Sequence, residues 1–294
     1  MSAKLMNVRS LLALLFLLPW AVPSQGQPVS SAVDAVSPLQ AQALVKRALA
    51  NELHAAQDQS HPMRYRLRKT SPRLTSTKEI FETRDGAVAR LLSINDRPLS
   101  QADEQKEQAR LDALLSDPNR QRHRKQNEDD DTGRAMKVLR ALPKAFLYQF
   151  AGPAPGAQGK VYRYTFKPNP GFSSLDLETE ALTAMTGEIW IDAAQQRVTR
   201  LEGHLQQDVN FGWGILGRLD KGGWIIIDQA RVGGNQWRIV RFQMGMGGRM
   251  LFKNKRFDTE EEETQFAPVP AGLSYQQAIH MLRADPAGTT QASR

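Results

Sequence analysis

The second half of the chain has the alternation of apolar and polar residues that is typical of β-strands. Seven alternating segments lie between Phe146 and Phe266 and are separated by short turns that contain Gly, Asn or Asp. They are residues 146–150, 161–167, 182–192, 198–211, 223–232, 236–246 and 250–257. Because short turns join strands that run in opposite directions, this pattern predicts antiparallel neighbours.

The first half mixes helical and strand patterns. Apolar residues at helical spacing over 39–57 predict an amphipathic helix that ends before Pro62. Three strands are predicted next, at residues 64–69, 77–83 and 87–94, and the last two are joined by a turn at Asp85-Gly86. A final helix is predicted from Ser274 to about Arg283. Together the two halves predict a mainly β (α+β) fold.

Residues 100–142 are predicted to be a charged helical insertion. Residues 101–126 contain no Gly and only one Pro, which predicts a long polar helix broken or kinked at Pro118, and a second helix is predicted over 132–142. The basic run 120–125 adjoins the acidic run 128–131, which indicates a solvated surface or, alternatively, a binding patch. Only three leucines anchor the first helix, so we expect the insertion to be peripheral and deletion of 118–131 to have little effect on stability.

The N-terminus has the layout of a secretory signal peptide. Lys4 and Arg9 precede an apolar run from Leu11 to Val22, and small residues precede a cleavage site after Gly26. The run is shorter than the ~20 residues that a membrane-spanning helix needs, although an uncleaved anchor is the alternative. The sequence therefore predicts a signal peptide at 1–26, a flexible leader at 27–38, one domain over 39–284, a disordered tail at 285–294, and a periplasmic or secreted location.

Composition narrows the possible chemistry further. The chain has no cysteine, which excludes disulfides, a thiol nucleophile and the lipid-bearing cysteine of a bacterial lipoprotein. Its formal net charge of +8 suits an anionic envelope surface, such as phospholipid headgroups, or simply keeps the protein soluble. Nucleic acid is not an expected partner of an exported chain, and beyond the signal no apolar run reaches membrane-spanning length.

None of the common catalytic motifs is present with its structural context. The histidines have no HExxH spacing, and neither acidic run, 128–131 or 260–263, matches a calcium loop, so we predict no metal or cofactor and interpret both runs as solvated charge. His204 falls on the polar face of its strand. Ser173 and Ser174 lack a GxSxG setting, and the GxGxxG at 212–217 has no following helix. We therefore do not expect an enzyme, and a hydrolase is the least favoured hypothesis.

The apolar strand faces are the remaining candidate for a site. An ordinary sheet covered by helices explains them, but seven to ten predicted strands against three or four helices favour a curved sheet with a partly open apolar interior. Methionine also tolerates ligands of varied shape. The predicted cavity-lining residues come from two strands and one glycine turn: Leu201, Leu205, Phe211, Trp213, Val240, Phe242 and Met244.

The order of elements and one hairpin resemble a known family. The hairpin consists of residues 187–192, Gly-Glu-Ile-Trp-Ile-Asp, followed by residues 197–202, Arg-Val-Thr-Arg-Leu-Glu. With the signal peptide and the mid-chain helices, it resembles the outer-membrane lipoprotein-sorting (LolA/LolB-like) superfamily over about residues 39–266. The resemblance implies an unclosed antiparallel β-barrel, lidded by helices, that holds acyl chains of lipids or lipoproteins. The long charged insertion departs from that pattern.

Two functions follow as the leading hypotheses. The first is an exported, non-enzymatic carrier or binder of acyl chains, lipids or lipoproteins. The second is an envelope assembly factor that docks a protein partner without enclosing a ligand.

Overall fold

The computed structural model describes residues 37–155, 160–174, 176–211, 217–233, 236–250 and 253–284. The predicted signal peptide, most of the predicted leader, the predicted tail and Trp213 lie outside these residues.

Thirteen strands of the described residues form a single antiparallel sheet. They are β1 (Met63–Ser71), β2 (Leu74–Phe81), β3 (Val88–Ile94), β4 (Arg97–Pro98), β5 (Phe146–Pro153), β6 (Val161–Pro168), β7 (Met185–Asp192), β8 (Arg197–Leu205), β9 (Val209–Phe211), β10 (Gly217–Leu219), β11 (Trp224–Val232), β12 (Gln236–Met250) and β13 (Lys253–Pro268). The order is β4-β3-β2-β1-β13-β12-β11-β8-β7-β6-β5, with β10 between β12 and β9 off this path. Because β4 and β5 do not pair with each other, the sheet is not closed.

Five α-helices accompany the sheet in the described part of the chain. They are α1 (Pro38–Gln57), α2 (Gln101–Ser116), α3 (Pro118–Ala145), the short α4 (Leu177–Glu180) and α5 (Tyr275–Ala284). The start of α1 is fixed by a capping box, in which Ser37 Oγ accepts from the Gln40 N–H and the Gln40 side chain accepts from the Ser37 N–H. None of the described helices is both long and apolar enough to cross a bilayer.

Two apolar clusters pack the helices onto the sheet. Helix α1 and the end of α3 pack on β5–β8, where Val45, Phe146, Tyr164 and Ile189 are buried. Helices α2 and α5 pack on β2 and β3 in a second cluster. The predicted architecture, a large antiparallel unclosed sheet with a few helices, is confirmed.

The glycine-rich end of β12 corrects one predicted boundary. The sequence predicts a strand that ends at Met246 and a new one at Met250, whereas β12 continues to Met250. Here glycine permits close approach instead of a turn: a Cβ on Gly245 would lie 2.5 Å from the Trp224 indole nitrogen.

The second helix of the insertion is longer than the predicted 132–142, and α2 packs on the sheet, whereas the small effect of deleting 118–131 on stability stays a prediction. Leu111 and Leu114 of α2 are buried in the second cluster, and α3 is one continuous helix of 28 residues that begins at Pro118. Most of the basic run is exposed, as the solvated-surface interpretation requires. Apolar residues are only part of the attachment of the insertion to the sheet, because polar side chains of the insertion also bind the sheet.

These polar contacts cover the free edge of β3. The Glu107 carboxylate accepts from the Leu91 N–H at 2.8 Å, and the Glu128 carboxylate accepts from the Ala87 N–H at 2.9 Å. Arg110, which also pairs with Glu107, donates to the Ala89 carbonyl. Since β4 pairs only with residues 93 and 94 of β3, helices α2 and α3 replace a neighbouring strand over the rest of this edge.

We expect Glu107→Ala to lower the free energy of unfolding by about 1–2 kcal/mol, because it removes a charge-assisted hydrogen bond from a buried edge. Urea denaturation measures this change, and amide hydrogen exchange at Leu91 should accelerate more than at Ile80. Gln105→Ala, at an exposed position of the same helix, is the matched control. Equal stability of the two variants would contradict the edge-covering role.

Candidate ligand-binding cavity

A cavity of about 490 Å³ lies between the sheet and helices α1 and α3. Leu49, Ala55 and Ala56 of α1 line one side, and Met136, Leu139 and Leu142 of α3 line another. The α3 residues lie three positions apart and therefore share one helix face. The volume falls within the range of small-molecule sites, roughly 300–1,000 Å³.

Strand pairing explains the apolar floor of the cavity. Ile189 of β7 lies directly opposite Leu201 of β8, and Leu201 lies opposite Ile227 of β11. Directly opposed residues share a face of the sheet, so these three form a row across neighbouring strands, and all three line the cavity.

The sheet curves around the cavity. Tyr65 of β1 and Ile189 of β7 both line it, although these strands are five spacings apart in the sheet. In a flat sheet that separation would be about 24 Å. Ile239 of β12 is exposed to 40% although it also lines the cavity, so the cavity opens to solvent beside β12.

A buried ion pair forms part of the cavity wall. Glu52 of α1 accepts from Arg197 at 2.8 and 2.9 Å, from the Val198 N–H at 2.8 Å and from the Gln229 side chain at 3.2 Å. The Arg197 guanidinium also lies 5.6 Å from the centre of the Trp237 ring. These contacts fix α1 to β8 and β11 at the ends of both strands.

A second polar group lines the cavity beside β1. Glu82 accepts from the Met63 N–H at 2.8 Å and lies 3.6 Å from Arg238, which donates to the His61 carbonyl at 2.8 Å. Burial raises the pKa of Glu82 above its usual value, while Arg238 opposes that rise.

Glu263 of β13 completes this polar group. Burial raises the pKa of the Glu263 carboxyl to about 7, and the neighbouring Glu261 and Glu82 carboxylates act in the same direction, against Arg238. Burial also raises the pKa of the Tyr65 hydroxyl, which the Glu263 charge reinforces. A carboxyl that titrates near neutral pH therefore faces the cavity.

The structure separates the residues predicted to line a cavity. Leu201 is in the cavity wall, and Phe242 lies on the same sheet face, opposite Ile227. Leu205 is buried in a separate cluster that Phe211 packs against, and Met244 lies in a shallow groove beside Trp224. Val240 lies where the register between β11 and β12 shifts, so it has no direct partner on β11. Trp213 is outside the described residues.

Sequence reasoning missed the polar residues of the site. The acidic run 260–263 is not uniformly solvated charge: Glu260 and Glu262 lie near Arg241 and Glu261 pairs with Lys69, whereas Glu263 lines the cavity. In a strand, side chains alternate between the two faces of the sheet, so Glu260 and Glu262 lie on one face and Glu261 and Glu263 on the other. This alternation is a signal that could have placed Glu263 on the inner face.

The other candidate chemistry stays outside the cavity. His204 is half exposed and its Nε2 lies 3.0 Å from Glu202, which matches the predicted solvent-facing histidine. In the ranges that the structure describes, no three His, Asp or Glu side chains are grouped so that they could hold a metal ion.

Known proteins show little similarity to this chain. No family model matches the chain, and no curated protein matches it. A crystal structure from Vibrio parahaemolyticus, provisionally described as an outer membrane lipoprotein-sorting protein domain, aligns with 86% of this chain and 98% of its own length. The identity is 10% and the TM-score 0.32, a similarity too low to carry a functional inference.

Proposed function

We propose that the protein is a non-enzymatic carrier or binder that holds the hydrocarbon chain of an amphiphile in this cavity. The main observation in support is the placement of charge. Glu52, Arg197, Glu82, Arg238 and Glu263 are the charged residues of the cavity wall. Pairing of β1, β13, β12, β11 and β8 puts Arg197, Arg238 and Glu263 near one end of these strands, beside the opening. Hydrogen bonds from Arg197 and from the Met63 N–H hold Glu52 and Glu82 at the same end. The row of Ile189, Leu201 and Ile227 extends inward from there.

This arrangement suits a molecule with a polar head and an apolar tail. The tail would contact the aliphatic row and α3, while the head would remain among the charged groups near solvent. The signal peptide predicted at residues 1–26 supports a location of this activity outside the cytoplasm, in the periplasm or the medium. A lipid or a lipoprotein acyl chain is the corresponding ligand class.

We expect affinity to rise with the length of the ligand chain until the cavity is filled. Each buried methylene contributes roughly 0.8 kcal/mol, so two more carbons should strengthen binding by about fifteenfold. Isothermal calorimetry with alkyl chains of one headgroup measures this dependence, and native mass spectrometry of the gently purified protein detects retained lipid.

A cavity-filling variant makes the test specific. Leu139→Trp should shorten the longest chain that gains affinity, because the indole occupies part of the volume beside α3. Arg140→Trp places the same side chain at the neighbouring, exposed position of that helix and should leave the chain-length profile unchanged. No dependence on chain length in the unmodified protein, with no lipid retained, would contradict the carrier function and favour a protein-docking role.

A further inference from the structure

The charges around the cavity opening are unequal. Three carboxyl groups, Glu52, Glu82 and Glu263, accompany two guanidinium groups, Arg197 and Arg238. Arg197 is held by both oxygens of Glu52, at 2.8 and 2.9 Å. The positive charge of Arg197 is therefore balanced by the Glu52 carboxylate.

Arg238 does not balance the other two carboxyl groups. One of its terminal nitrogens donates to the His61 carbonyl, and the guanidinium lies 3.6 Å from Glu82. In the described part of the chain, no side chain or main-chain group donates a hydrogen bond to Glu263, whereas Glu261, two residues away, is held by Lys69 at 2.6 Å. Glu263 is thus the carboxyl group at the opening that lacks a counter-charge of its own.

The headgroup of a bound amphiphile would lie among these unequal charges. An anionic head would add a further negative charge beside Glu82 and Glu263. Arg197 is held by Glu52, and the Arg238 guanidinium, whose Nε is buried, already faces two carboxyl groups. A neutral head would leave the Glu263 charge partly desolvated and unpaired, which is unfavourable. A cationic head would supply the missing positive charge and donate hydrogen bonds to the free carboxylate.

We infer that the cavity selects amphiphiles with an ammonium headgroup, and that Glu263 is the residue that binds this group. The inference rests on the proposed function, because the alkyl chain must enter the cavity for its head to reach Glu263. It deepens that function by specifying the ligand as a cationic, rather than an anionic, amphiphile.

Three ligands of equal chain length separate the headgroup from the tail. We expect decylamine to bind the full chain about tenfold or more tighter than decanoate, with 1-decanol between them, in calorimetry at about pH 8.5. At that pH Glu263, whose pKa burial raises to about 7, is ionised. Glu263→Gln should remove most of the preference for the amine, because decylamine loses the carboxylate that receives its ammonium group and decanoate no longer meets that charge.

The control is Glu261→Gln, which removes a carboxylate of the same strand that is already paired with Lys69. It should keep the preference for the amine. Binding of decanoate as tight as that of decylamine, or an equal loss of preference in both variants, would overturn the headgroup inference while the carrier function stands. Failure of all three ligands to bind the unmodified protein would overturn the carrier function and the inference with it.

Discussion

Glu52→Ala is expected to lower the free energy of unfolding by about 3–5 kcal/mol, because it breaks a buried ion pair by removing one partner. Glu52 is 8% exposed, and its carboxylate accepts from Arg197, the Val198 N–H and Gln229. Without it, a largely buried guanidinium and a main-chain N–H of β8 lose their acceptor. Helix α1 also loses its ion-paired attachment to β8, while the hydrogen bond between Gln42 and the Tyr148 N–H remains.

Urea denaturation followed by circular dichroism measures this change. His54→Ala, at an exposed position of the same helix, is the control and should be within about 0.5 kcal/mol of the unmodified protein. Glu52→Gln should fall between the two, since it keeps the shape but loses the charge. A loss below about 1 kcal/mol for Glu52→Ala would show that the ion pair does not fasten α1 to the sheet.

The second large effect is a dependence of stability on pH through Glu263. Its pKa rises from 4.5 to about 7 in the folded chain, so folding strengthens proton binding at this carboxyl. Its stabilising contribution is fully present below pH 4.5 and is lost as pH rises through about 7. One pKa unit corresponds to about 1.4 kcal/mol, and residual solvent contact reduces the sum, so we expect a loss of about 2–3 kcal/mol across this window.

Glu263→Gln tests the assignment, because glutamine is neutral throughout. The groups that face Glu263 remain in the variant: Glu82, Glu261, Arg238 and Tyr65. The difference in unfolding free energy between Glu263→Gln and the unmodified protein should therefore grow by about 2–3 kcal/mol from about pH 4.5 to about pH 8 in favour of the variant. Glu260→Gln, on the opposite face of β13, should show no such growth. A difference that stays constant with pH would refute a buried Glu263 carboxyl.

Most of the fold could be predicted because its information is local. Period-two alternation and turn residues locate β1, β6 and β11 to within a few residues, and Pro118 marks a real helix boundary. The pairing of β1 with β13 is different, since it joins residues almost 200 positions apart. Nothing in either segment alone specifies that partner.

The site was predictable only in part, and for the same reason. Apolar alternation places Leu201 on an inner face, but the opposing wall comes from Met136 and Leu139, whose helix was expected to be short. The polar end needs β1, β12 and β13 to be adjacent before Tyr65, Arg238 and Glu263 can meet. A run of four consecutive glutamates also gives no composition signal that one member differs from the others.

The covered edges of the sheet have a consequence for self-association. An unclosed sheet offers two edges to which another copy could add a strand. Helix α3 covers the β3 edge through Glu128, and at the opposite edge Gln42 of α1 accepts from the Tyr148 N–H at 3.0 Å. These are the two helices that wall the cavity. Any outward movement of α1 or α3 that widens the cavity also exposes strand edges, so protection against edge-to-edge polymerisation depends on how closely these two helices stay packed on the sheet.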